Sequence, residues 1–131
     1  MSDVLELMHG TPVLVCAPDG GVVGGEHDAT DLIGDAFGHG ATWVAVPVER
    51  FGDGFFDLRT RVAGDIVQKF ANYRIGLAVL GDVAPRTAAS KAFRDFVHEA
   101  DQGRQLWFVP DLAALRARLA PSAAADGPVT S

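Results

Sequence analysis

Cysteine is nearly absent from the chain. Cys16 stands alone inside the apolar run Val13-Leu14-Val15-Cys16, which excludes an intrachain disulfide and a thiolate metal cluster. A small buried hydrophobe is its expected role. Positive charge is scarce too: eleven lysines and arginines stand against seventeen acids, a formal net charge of −6. Such a surface repels phosphate backbones and anionic membranes, so neither nucleic acid nor membrane is an expected partner. The nearest thing to a basic cluster, Arg59, Arg61, Lys69 and Arg74, is interleaved with Asp57 and Asp65. No apolar stretch approaches the ~20 residues that span a bilayer. Met1-Ser2-Asp3 begins no signal peptide, and a cytoplasmic location is the expectation.

Motifs of known chemistry are missing as well. There is no Gly-x-Ser-x-Gly elbow, and Gly20-Gly21-x-x-Gly24-Gly25 lacks the Lys-Ser/Thr ending of a phosphate loop. His9, His27, His39 and His98 share no metal-ligand spacing, and in His27-Asp28-x-x-Asp31 the first aspartate is better used as a helix cap. No catalytic residue, metal or cofactor is therefore expected. No internal repeat is visible.

What remains is an ordinary globular composition. The chain has 131 residues, 48% of them hydrophobic and 21% charged, enough for one core without disulfides or metals. A single domain is expected over 1–120 and a disordered tail over 121–131, where Pro, Ser, Ala and Gly show no apolar period. Residues 12–17 read as a strand, and Pro18-Asp19-Gly20-Gly21 as a turn into Val22-Val23, suggesting an edge hairpin. Asp28 then caps a helix with Leu32, Ile33, Ala36 and Phe37 on one face, ended by Gly38 and Gly40.

Segments 42–48, 75–80 and 106–109 are nearly all apolar, as strands covered on both faces must be. Between the first two, Val62, Ile66 and Phe70 recur every four residues with Ala63 and Val67, and Asp65 can pair with Lys69. Ser90 caps a third helix with the stripe Phe93, Phe96, Val97 and Ala100. A fourth follows Pro110-Asp111 with Leu112, Leu115 and Leu119. This alternation predicts an α/β fold: a single-domain mixed, mostly parallel sheet with about four helices. Functional loops of such sheets lie beyond the carboxyl ends of the strands, here 49–57, 81–90 and the turn near Pro110.

The continuous stretch 55–74, Phe-Phe-Asp-Leu-Arg-Thr-Arg-Val-Ala-Gly-Asp-Ile-Val-Gln-Lys-Phe-Ala-Asn-Tyr-Arg, followed by Gly81-Asp82 and Ser90-Lys91-Ala92-Phe93-Arg94-Asp95-Phe96, resembles the uncharacterised bacterial family DUF4180. The similarity covers nearly all of the chain except the tail, and the family lends no activity. The layout of strand 42–48, a loop with Asp57 and Thr60, a helix, and strand 75–80 with Gly81 is more loosely similar to STAS domains, which include anti-sigma-factor antagonists. That resemblance implies a STAS-like fold and a serine or threonine, after an aspartate near a helix start, phosphorylated by a partner kinase. Thr60 after Asp57 falls near that place, although the usual Asp-Ser-Ser-Gly run is absent.

The loop 49–57 is the most suggestive segment, with two glycines and three phenylalanines at a strand end. Phe51, Phe55 and Phe56 either plug the sheet or form a recognition surface. Asp57 and Thr60 stand at a helix start, where capping is the simpler role and phosphorylation of Thr60 the sharper one. Gln68, Lys69, Asn72, Tyr73 and Arg74 crowd one helix end, and Arg94 can reach the loop beginning at Gly81 should an anion bind there.

Two functions follow as expectations. The leading one is a non-enzymatic STAS-like interaction or regulatory module that binds a protein partner, or itself, through Phe55, Phe56, Asp57, Thr60 and the adjoining helices. Its alternative is a small-molecule binder or pathway enzyme with a strand-end pocket using Asp57, Tyr73 and Arg94.

Overall fold

Alternating apolar runs and four-residue apolar periods give the chain five strands and six α-helices in a computed structural model that describes residues 3–120. The tail expected at 121–131 lies outside the described residues. Strands β1 (Val4–Met8), β2 (Thr11–Val15), β3 (Trp43–Pro47), β4 (Gly76–Leu80) and β5 (Leu106–Val109) form one sheet in that spatial order. β1 runs antiparallel to β2, and every other neighbouring pair is parallel. The helices are α1 (Glu26–His39), α2 (Asp53–Phe56), α3 (Val62–Asn72), α4 (Ala84–Ala89), α5 (Lys91–Asp101) and α6 (Leu112–Leu119). The mixed, mostly parallel α/β domain expected from the sequence is present. No described helix is long and apolar enough to cross a membrane.

Three expectations need correction. The edge hairpin joins β1 to β2 through His9 and Gly10, both at positive φ as a two-residue hairpin turn demands. Val23 makes only an isolated parallel bridge to Phe51. Asp28 does not cap α1 from outside, because the helix begins at Glu26; its carboxylate sits in the first turn and accepts the Gly24 N–H at 2.8 Å. The segments read as loops at 49–57 and 81–90 carry α2 and α4, which raises the helix number above the expected four. α4 is helped by Pro85 in its first turn and by the Asp82 carboxylate, which accepts the Ala84 N–H at 2.9 Å.

Other sequence signals act as read. Gly40 ends α1 in the left-handed conformation while Gly38 stays inside the helix, Ser90 caps α5 through the Phe93 N–H, and Asp111 caps α6 through the Ala114 N–H. The expected Asp65–Lys69 pair is a further correction: the two make no ion pair, whereas Gln68 donates to Asn72 one turn on, at 2.9 Å.

Because strand order follows chain order, right-handed crossovers place their helices on one face of the sheet. That face packs Leu14, Val44, Val46, Leu77 and Val79 against Ile33, Ile66, Phe70 and Phe93 from the helices. The opposite face, Met8, Val13, Trp43, Ala45, Ala78 and Trp107, is covered by Leu115 and Leu119 of α6. There Trp43 stacks on Trp107 with ring centres 4.4 Å apart. Gly76 permits this close approach, since a Cβ at that position would lie 2.4 Å from the Trp43 ring. The parallel strands bring the segments after β3, β4 and β5 to one edge of the molecule.

Candidate functional site

The carboxyl end of β3 is filled. After Pro47 the chain makes a 3-10 turn (Val48–Arg50), α2, and a second 3-10 turn (Leu58–Thr60) before α3. Phe55 is fully buried, Phe51 and Phe56 nearly so. The rings form a chain: Phe51 to Phe55 at 4.3 Å, Phe55 to Phe56 at 5.3 Å, Phe56 to Phe93 at 5.5 Å. Of the two roles weighed for them, the plug is the one the structure has. Phe55 and Phe56 face the core, so the recognition surface expected of them is corrected to packing. Arg86 covers the outer side of the plug, 4.3 Å from the Phe56 ring centre and ion-paired to Asp53.

Asp57 and Thr60 brace the next turn. Asp57 accepts the backbone N–H of Arg59 at 3.1 Å and its guanidinium at 3.0 and 2.9 Å. These hydrogen bonds, the side-chain ones foremost, hold its carboxyl below the usual aspartate range. The Thr60 hydroxyl lies 2.6 Å from the Gly54 carbonyl and 2.8 Å from that of Asp57, and accepts the Val62 N–H at 3.2 Å. It ties α2 to the start of α3, and its proton is directed at backbone oxygens.

Beyond β4 and β5 the edge is open. A cavity of about 590 Å³ lies between the segment after Gly81, the outer side of α5 and the end of β5. Val83, Val97, Phe108 and Val109 form its apolar wall, and Thr87, Arg94 and His98 its polar side. The two acids at its rim are engaged: Asp82 accepts the Ala84 N–H, and Asp101 is ion-paired to Arg118. Thr87 donates to the Ala84 carbonyl at 3.1 Å, and the His98 ring meets the Gln102 amide at 3.1 Å. Arg94 makes no ion pair among the described residues. The open and filled ends meet at Gly81, whose φ of 136° only glycine adopts readily and where a Cβ would lie 2.4 Å from a Val48 methyl.

The residues expected to share a pocket are therefore separated. Arg94 lines the cavity, whereas Asp57 borders a different depression with Leu58, Arg59 and Ser90. Tyr73 ends α3 just before β4, at the amino end of the strands, and makes an edge-on contact with Phe37 at 5.8 Å. His98 and Thr87 belong to the cavity although neither was singled out as a site. The spacing of Arg94, His98 and Asp101 along α5 was the available signal, because positions four and seven apart share a helix face. Lys91 instead pairs with Asp95 at 2.9 Å, which lowers the Asp95 carboxyl from its ordinary value. Cys16 is buried, and its thiol is pushed up to about 12, chiefly by burial and next by Asp3. Among the described residues no group of three or more His, Cys, Asp or Glu could hold a metal ion.

A family model described as Domain of unknown function (DUF4180) matches residues 8–119. No curated protein and no solved structure matches the chain.

Proposed function

The chain belongs to the DUF4180 family, and from that premise we propose that it binds a small amphiphilic anion in the cavity beyond β4 and β5. The observation that carries this reading is Arg94, a guanidinium without an ion-pair partner among the described residues, beside an apolar wall of Val83, Val97, Phe108 and Val109. Ligand pockets combine an apolar surface for the body of the ligand with a few polar groups that orient it. Arg94 suits a carboxylate through its two-pronged geometry, and His98 one turn further along α5 can supply a second hydrogen bond. The chain's net charge of −6 and the nearby Asp82 and Asp101 favour a single negative charge over a polyphosphate. Binding is favoured over catalysis because the Thr87 hydroxyl is committed to a carbonyl and no nucleophile and base are paired in the cavity.

The test is thermal denaturation with a panel of small carboxylates bearing aliphatic or aromatic tails. A ligand bound only by the folded form at about a hundred times its Kd stabilises it by about 2.7 kcal/mol. The expected result is a concentration-dependent rise in Tm that Arg94→Ala abolishes. No shift across the panel, or an equal shift in the variant, overturns the reading.

A second reading, a non-enzymatic STAS-like module docking a protein partner, is supported by the exposed Phe37 and Tyr73 pair, 56% and 47% exposed, rather than by Phe55 and Phe56. It requires a Phe37→Ser/Tyr73→Ser variant of unchanged Tm to lose a partner that the parent chain retains.

A further inference from the structure

We infer that β1 pairs with β1 of a second copy of this chain, antiparallel across a two-fold axis at Glu6, so that two sheets become one. β1 is an end strand of the sheet, and among the described residues its outer edge has no partner. Edge strands normally carry a proline, a lysine, a bulge or a covering element that prevents pairing with another chain. Val4-Leu5-Glu6-Leu7-Met8 has no proline or lysine and pairs with β2 in unbroken register. At the opposite edge β5 is sandwiched between α5 and α6, with Leu106, Trp107 and Val109 buried. In β1, by contrast, Leu7 is 70% exposed, Val4 53% and Leu5 39%.

The side chains select the register. Leu5 opposes Leu14 of β2, which places Leu5 and Leu7 on the helix-bearing face of the sheet. An axis at Glu6 sets Leu5 of each copy against Leu7 of the other and gathers four leucines into one apolar cluster. On the opposite face Glu6 is already held by Arg116 at 2.8 Å. The two-fold sets the two Glu6 carboxylates opposite each other, and the guanidinium already beside each lessens the like-charge cost of that pair. A short ribbon buries less than the roughly 1,200–2,000 Å² of a stable interface, which makes the dimer concentration-dependent.

Sedimentation velocity on the full chain over a wide concentration range, at moderate salt, tests this. The expected result is a shift from the 13.8 kDa chain to twice that mass, with dissociation made about tenfold or more easier by Leu7→Lys at unchanged Tm. Disulfide trapping reads the register. Facing residues of antiparallel strands have Cα atoms about 4.5–5.5 Å apart, within disulfide reach. Glu6→Cys should cross-link to itself readily and Leu7→Cys poorly, with buried Cys16 contributing no background. A chain monomeric at every concentration, a dimer indifferent to Leu7→Lys, or faster cross-linking at position 7 than at position 6 overturns the inference.

Discussion

At the carboxyl end of β3 three phenylalanine rings close the sheet, while beyond β4 and β5 the same edge opens into a cavity with Arg94 on its rim. Both segments leave parallel strands at the position where α/β proteins keep their ligand sites. In sequence the first looks the more functional, with its glycines, acids and aromatic residues. The aromatic rings reach Phe93 and, through it, Phe108, so they extend the core instead of facing solvent. The second segment shows only Gly81-Asp82-Val83 and a charged helix, yet among the described residues it leaves apolar wall uncovered and a cation unpaired. The candidate site is marked by what the fold leaves unfilled, and residue type alone does not reveal that.

The contrast can be broken most forcefully at its filled end. Phe55→Ala removes a fully buried ring and is expected to cost about 3–5 kcal/mol in denaturant unfolding. A loss under about 1 kcal/mol, the size of a surface substitution, would show that the rings are no plug. Gly81→Ala strikes the point where the two ends meet. Positive φ and the contact with Val48 together make a loss of about 2–4 kcal/mol the expected outcome by the same assay. Thr60→Val deletes the donor that serves the Gly54 and Asp57 carbonyls, for about 1–2 kcal/mol, and a neutral result would free Thr60 for a regulatory role.

A smaller effect concerns pH. Because the folded-state pKa of Asp57 is depressed by Arg59, its contribution is present above the ordinary aspartate value of 3.8 and is lost as pH falls through the lower folded value. Tm measured from neutral pH into acid should therefore fall slightly less steeply for Asp57→Asn than for the parent chain. Identical acid limbs would show that this exposed pair contributes nothing.

How much of this was legible in the sequence depended on burial and length. Strands 43–47, 76–80 and 106–109 were visible because they are apolar on both faces, and α3, α5 and α6 because their stripes are long and Ser90 and Asp111 cap two of them. β1 is not legible because Glu6 interrupts its five residues, which leaves Val22-Val23 as the apparent hairpin partner of strand 12–17. α2 and α4, four and six residues long, are too short to display a helical period. Arg94 was legible from its place near the start of α5. Only the place of Tyr73 in the strand-end pocket fails, and the chain direction held the answer: a residue that immediately precedes a parallel strand lies at the amino end of the sheet, away from the cavity.

Arg94→Ala should have the smallest effect on stability and the sharpest effect on the comparison. An exposed arginine without an ion-pair partner among the described residues contributes little to folding, so a change within about 0.5 kcal/mol is expected in denaturant unfolding. A loss several times larger would mean that its stem packs as a structural strut over Val97 and Phe108. The cavity would then be a second covered end, held by a cation where β3 is held by phenylalanines. Stability retained together with loss of the carboxylate-induced rise in Tm separates the two ends as the fold suggests: one completed by its own side chains, the other by a ligand.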